Sequence, residues 1–177
     1  MAQIKKRGWT QHIWKLIMAG GVLTLLSIVF PSTFFIESGA WVLLWYIGFW
    51  WGGDIYGGEG MGFASDFFLS PYDDRYMTIG VITTVLLIIA LILMAISAIN
   101  TKNERNIKLN AGMSLLGGIL AIIGPIVYYF YLDAEIPAVF WDHFLPFLGI
   151  FLPIIAGILG IIGAITVVYA TKLKRKV

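Results

Sequence analysis

Met77–Ile99, MTIGVITTVLLIIALILMAISAI, runs for 23 residues without an Asp, Glu, Lys, Arg or His. As an α-helix it is about 35 Å long, enough to cross a hydrocarbon core of about 30 Å. It is apolar around its whole circumference, so it needs apolar surroundings on every side. Working outward, Leu16–Phe30, Leu109–Leu132 and Leu145–Ala170 are likewise free of ionisable residues. That fits the roughly 2.5–3.5 kcal/mol that a charge at the centre of a spanning helix costs on insertion scales. Leu16–Phe30 is the shortest, and Ile13 and Trp14 extend it while Lys15 reaches the headgroups. The reading is a single membrane domain over residues 1–177, with spans at 14–30, 77–99, 109–132 and 145–170. Outer loops then cover 31–76 and 133–144, and an inner loop covers 100–108.

Composition agrees. Hydrophobic residues make up 59% of the chain and charged residues only 12%, against roughly 25% charged in a soluble domain, and the mean hydropathy is +0.88. A water-soluble fold and a disordered chain are both excluded. The chain has no cysteine, which excludes disulfide frameworks, thiolate metal sites and cysteine nucleophiles.

The location of the charges sets the orientation. Eleven of the 12 Lys and Arg lie before the first span, between the second and third, or after the fourth, leaving Arg75 alone on the other side. Nine of the 10 acids lie opposite them, Glu104 being the exception. The positive-inside rule therefore puts both termini in the cytoplasm. Trp41–Trp51 also lacks charge, but a crossing there would carry Lys102, Arg105 and Lys108 outside, so it is expected to lie on the outer surface. Lys5–Arg7 followed by Ser38-Gly39-Ala40 imitates a signal peptide with its cleavage site, and the segment is expected to be retained as the first span.

Lipid tails give no hydrophobic gain for helix association, so small residues that let backbones approach must carry it. Gly117 and Gly118 on the third span, and Gly149, Gly157 and Gly160 on the fourth, form such stripes, interrupted by Pro125 and Pro153. Packing within one bundle is the expected role, a face between copies the alternative. The first outer loop carries a different load: 15 of the chain's 27 aromatic residues fall between Phe30 and Tyr76. Trp41–Trp51 reads as strand or as an interfacial layer, and the glycines from Gly52 to Gly62 supply turns. The fold class is therefore an all-α membrane protein, a four-helix transmembrane bundle with a small extracellular β-sheet or aromatic cap.

Gly48-Phe49-Trp50 in this loop, Asp74-Arg75-Tyr76 at the mouth of the second span and Lys108-Leu-Asn-Ala-Gly112 at the start of the third complete a pattern. In layout and in these residues the chain resembles the claudin and peripheral-myelin-protein superfamily of tetraspan membrane proteins. That family's outer-loop signature is a Trp, then Gly-Leu-Trp, then two cysteines, with an Arg opening the second span. Here Phe30 stands in place of the first Trp, and both cysteines are missing. The resemblance implies an extracellular sheet and a role in lateral assembly, adhesion or accessory-subunit binding, without catalysis. The family's cysteine pair locks its sheet, so here aromatic packing or a partner must do so.

No catalytic, cofactor-binding or metal-ligating residue is assigned. The spans hold no ionisable group, and no nucleophile elbow, zincin helix or Walker loop is present. Gly57-Gly58-Glu59-Gly60-Met61-Gly62 lacks the Lys and the helix of a phosphate loop. Asp54, Glu59, Asp66, Asp73 and Asp74 read as a solvated acidic rim before a Ca²⁺ site, and Asp142-His143 alone cannot form a metal or pH-sensing centre. Trp9, Trp14 and Trp141 read as interfacial anchors. Arg75 is expected to pair with Asp73, Asp74 or an acid of the second outer loop, pinning the first loop to the bundle. Trp41, Trp45, Gly48, Phe49, Trp50 and Trp51 are the expected interaction residues.

The expectation is a non-enzymatic, multi-pass protein of the cell membrane that assembles laterally or adheres through this loop. An accessory subunit of a larger transport, respiratory or oxidase complex is the alternative. Expected partners are membrane lipids and either further copies or another membrane protein; no nucleic acid and no soluble small-molecule substrate is indicated.

Overall fold

A computed structural model describes residues 12–37, 39–54, 56–63, 72–103, 105–136 and 140–174. The chain forms helix α1 (Ile13–Val29), strands β1 (Thr33–Glu37), β2 (Ala40–Leu44), β3 (Phe49–Gly53) and β4 (Glu59–Phe63), and the long helices α2 (Tyr72–Lys102) and α3 (Ile107–Glu135). A short helix α4 (Phe140–His143), strand β5 (Phe144–Pro146) and helix α5 (Leu148–Lys174) complete it. Three helices, α2, α3 and α5, are long and apolar enough to cross a membrane. At 17 residues, α1 reaches only about 26 Å. In the most apolar window of α2, α3 and α5, 39, 39 and 44% respectively is buried within the protein, so most of each window faces outward. Val81, Ile82, Val85, Ile88, Ile89, Ile92 and Ile96 leave an exposed apolar face along α2.

The helices close in a ring. α1 packs on α2 and α5, and α3 packs on the same two, so that α1 and α3 lie diagonally. Glycine decides how close they come. A Cβ at Gly118 would meet the Gly157 carbonyl at 2.7 Å, one at Gly117 the Ala90 carbonyl at 3.0 Å, and one at Gly20 the Ala156 carbonyl at 2.9 Å. Ser114 Oγ donates across the α3–α5 contact to the Gly160 carbonyl at 2.8 Å. Thr24, Ser27, Thr84 and Thr166 instead return their hydroxyls to carbonyls of their own helices, as hydroxyls in apolar surroundings commonly do.

Five strands form one antiparallel sheet in the order β4-β3-β2-β1-β5. Two boundaries differ from the sequence reading. Leu145 and Pro146, expected to open the fourth span, belong to β5, where Thr33 faces Pro146 and Phe35 faces Phe144. Pro146 cannot donate to a ladder, and β5 is an edge strand, where that is tolerated. Helix α2 begins at Tyr72, so Asp73, Asp74 and Arg75 occupy its first turn and not the loop. Trp41–Trp51 resolves into a hairpin: β2 and β3 are joined through Trp45–Gly48, with Gly48 at φ 79°, where glycine is favoured. The link between α2 and α3 is shorter than the 100–108 expected, since α2 ends at Lys102 and α3 begins at Ile107. At this end the Lys102 ammonium lies 5.0 Å from the Trp14 ring centroid, a cation–π contact.

Candidate interaction surface on the sheet

Register assigns each strand residue to a face, because side chains alternate along a strand and antiparallel partners point the same way. Thr33, Val42, Leu44, Trp50 and Phe144 share the inner face, with Gly52, Gly60 and Gly62 opposite them. Val42 and Leu44 are buried. The glycines make room: a Cβ at Gly60 would meet the Trp50 ring at 3.0 Å, and one at Gly52 the Val42 side chain at 2.9 Å.

A chain of buried hydroxyls holds this face to the helices. Tyr128 of α3 donates to the Tyr76 hydroxyl at 2.5 Å, and Tyr76 of α2 donates to the Trp45 carbonyl at 3.1 Å. Tyr46 donates to the Gly149 carbonyl of α5 at 2.9 Å, and Ser32 Oγ donates to the Leu44 carbonyl at 2.9 Å, lying 3.3 Å from the Tyr128 hydroxyl. Tyr46 stands edge-on to Tyr128 with ring centroids 4.7 Å apart. Burial, reinforced by the neighbouring Tyr76, raises the Tyr46 phenol well above its ordinary value of 10.0, so it remains a neutral donor. Trp45 caps the end of α1 through its indole N–H, 2.7 Å from the Val29 carbonyl. Where covalent links are lacking, these donors and rings tie the hairpin turn to α1, α2, α3 and α5. Gly80 completes the seat, since its missing side chain lets α2 touch the Tyr46 carbonyl directly.

The opposite face is apolar as well. Leu145, Phe34, Leu43, Trp51 and Met61 form one row across all five strands. Ile36 and Trp41 form a second, and Phe49 with Phe63 a third. Leu145 is 54% exposed, Trp51 39%, Met61 70%, Ile36 62% and Phe63 53%. Trp41 meets Trp51 edge-on at 5.1 Å, and Phe49 meets Phe63 at 6.2 Å. An antiparallel sheet with one free side normally turns polar residues to it; here Glu59, at the edge of the Ile36–Trp41 row, is the charged residue among rings and aliphatic side chains. A contiguous apolar patch of this kind marks a contact with protein or lipid.

The chain matches no family model and no curated relative.

Of the six interaction residues expected from sequence, Trp51 is the exposed one; Gly48 is buried and Trp41, Trp45, Phe49 and Trp50 are partly covered. Trp50 points to the inner face, packed beside Leu44 and Tyr46. Composition alone does not single out Ile36, Met61, Phe63 and Leu145, and their alternation with buried neighbours is the signal that finds them. Tyr46, Tyr76 and Tyr128 were missed as a group, although a tyrosine at the end of an apolar span must find a partner for its hydroxyl. Gly117, Gly118, Gly157 and Gly160 all meet neighbouring helices. Gly149 meets something else: its N–H donates to the Pro31 carbonyl at 2.8 Å, and a Cβ there would lie 2.6 Å from the same oxygen. It therefore seats the α1–β1 link.

The charged candidates are distributed as follows. Arg75 Nη1 lies 2.9 Å from Glu135 Oε2 and 3.0 Å from the Glu135 carbonyl, joining the start of α2 to the end of α3. The side chains are 41 and 44% exposed, so the ion pair contributes about 0.2–1 kcal/mol. Arg75→Gln should lower the thermal midpoint by only a few degrees, and adding Glu135→Gln should cost nothing further; full additivity in a double-mutant cycle would exclude the coupling. Asp54 Oδ1 accepts from the N–H groups of Tyr56 and Gly58 at 2.7 and 3.1 Å, shaping the β3–β4 turn. Among the described residues no three His, Asp or Glu side chains converge; Asp66 and the side chain of Asp73 lie outside that set. His143 Nδ1 lies 3.1 Å from Glu37 Oε2. Trp141 stacks on Tyr129 at 4.3 Å and donates to its carbonyl, holding α4 to α3. Trp9 is not among the described residues.

Proposed function

We propose that this chain is a non-enzymatic, four-span membrane protein, with both termini in the cytoplasm, whose extracellular sheet assembles laterally with further copies in the manner of the claudin and peripheral-myelin-protein superfamily. One observation carries the reading: the sheet presents an apolar row from Leu145 to Met61 on the side turned away from its own core. Covering such a surface stabilises association by roughly 25 cal/mol per Å² before the losses of binding are subtracted. The absence of the family's cysteines is compatible with this role because the tyrosine and serine hydroxyls hold the sheet in place.

Met61→Glu tests the assembly. Met61 is 70% exposed, so the substitution should leave the thermal midpoint nearly unchanged. In mild detergent it should convert a self-assembled species into monomers, read by size exclusion with light scattering. An assembly that persists in Met61→Glu rejects the sheet as the contact. A wild-type chain that is already monomeric, and stable only with another gene product, assigns it instead to an accessory subunit. The orientation is tested separately by impermeant labelling: cysteines placed at Asp54 and Lys174 should react from opposite sides.

A further inference from the structure

We propose that a groove between α3 and α5 binds an anionic glycerophospholipid, an acyl chain lying in the groove and the phosphate resting on Lys108. The inference rests on the membrane-embedded reading but not on the sheet or its partner. The two helices touch backbone to backbone at Gly118 and Gly157, and a Cβ at Gly160 would be 3.2 Å from Gly118 Cα. Toward the start of α3 and the end of α5 they leave a groove of about 440 Å³. Its walls are Ala111, Gly112 and Leu115 on one side and Ala164, Ile165 and Val168 on the other, with Lys108 and Tyr169 also lining it.

Gly112 distinguishes this groove from ordinary helix packing. A Cβ at Gly117 or Gly118 would collide with a neighbouring helix, whereas one at Gly112 would meet nothing within 4 Å. Nor does Gly112 have the positive φ that favours glycine. Glycine is the poorest helix former after proline, and here its one structural consequence is open space. Lys108 to Leu115 advance about 10 Å along the axis, matching the upper part of an acyl chain. Lys108 sits in the first turn of α3, where the free N–H groups and the helix dipole also favour an anion. Lys102 and Arg105 lie at the same end of the bundle. Water has too few partners in an aliphatic groove to fill it. Among the described residues no acid pairs with Lys108, and a zwitterionic lipid offsets its phosphate with its own cation, so it brings no net charge to Lys108, Lys102 and Arg105. A glycerophospholipid with a net negative headgroup satisfies both ends.

The test uses the full chain in nanodiscs and in detergent, with phosphatidylglycerol and phosphatidylcholine as probes and native mass spectrometry counting retained lipid. Phosphatidylglycerol should be retained about five-fold more strongly, the effect of one basic residue at a membrane surface. Lys108→Gln should abolish that preference. Gly112→Leu should expel the lipid. Equal retention of the two lipids by the wild-type chain overturns the proposal, as does an unchanged preference in Lys108→Gln, or a groove occupied by a second copy. Lys108→Gln is exposed and keeps the test decisive should Gly112→Leu fail to fold. A chain that is soluble without detergent and refuses nanodiscs would defeat the membrane reading itself, an outcome distinct from absent lipid selectivity.

Discussion

Gly80→Ala is expected to destabilise the protein by about 2–3 kcal/mol or more, the upper range for overpacking a tight contact. The added methyl would occupy the position of the Tyr46 carbonyl. Neither side can yield easily. Tyr46 is tied to Gly149 through its hydroxyl, Trp45 to Val29 through its indole and to Tyr76 through its carbonyl. The hairpin turn must therefore lift as a unit, breaking several hydrogen bonds at once, the buried Tyr46–Gly149 bond among them. Gly112→Ala is the control, because the same methyl there meets nothing within 4 Å and replaces a poor helix former with the best. Thermal unfolding in detergent should place Gly80→Ala well below the wild type and Gly112→Ala at or above it. Equal midpoints would mean that α2 does not seat the turn.

Gly157→Leu is expected to have the second large effect, and it separates the two roles open to the small-residue stripe. The Gly157 position is enclosed by the Gly118 carbonyl and the Ile122 side chain, both on α3. A leucine there forces α3 and α5 apart and strips Ser114 of its bond to Gly160. If the stripe packs one bundle, Gly157→Leu should unfold or misassemble the individual chain, with loss of several kcal/mol and the appearance of protease-sensitive protein. If it packs copies together, the monomer would survive intact and only the oligomer would be lost. A stable, folded Gly157→Leu monomer would overturn the internal contact.

Much of the helical framework is legible residue by residue. The stretch Leu109–Leu132 corresponds to a helix over Ile107–Glu135, and Met77–Ile99 to one over Tyr72–Lys102, because burial in an apolar medium depends on local composition. Polar ends were lost for the same reason: Asp73-Asp74-Arg75 reads as loop by charge yet continues the helix. Leu145 and Pro146 read as span because nothing local tells an edge strand from the start of an apolar helix. Their pairing with β1 lies more than a hundred residues away in sequence. Arg75 found Glu135 by the same long-range logic.

What the sequence determined on its own is therefore whatever local composition can express: apolar lengths sufficient to cross a membrane, the sign of the charge on either side of them, and an aromatic segment broken by glycines. The tertiary structure decided which face each ring takes, that β5 joins the first loop's sheet, that the tyrosines converge, and that Gly112 opens a groove while Gly118 closes a contact. Those outcomes depend on register and on distances between segments remote in the chain. A side chain one position along a strand, or a helix shifted by half a turn, would reverse them without altering the local composition.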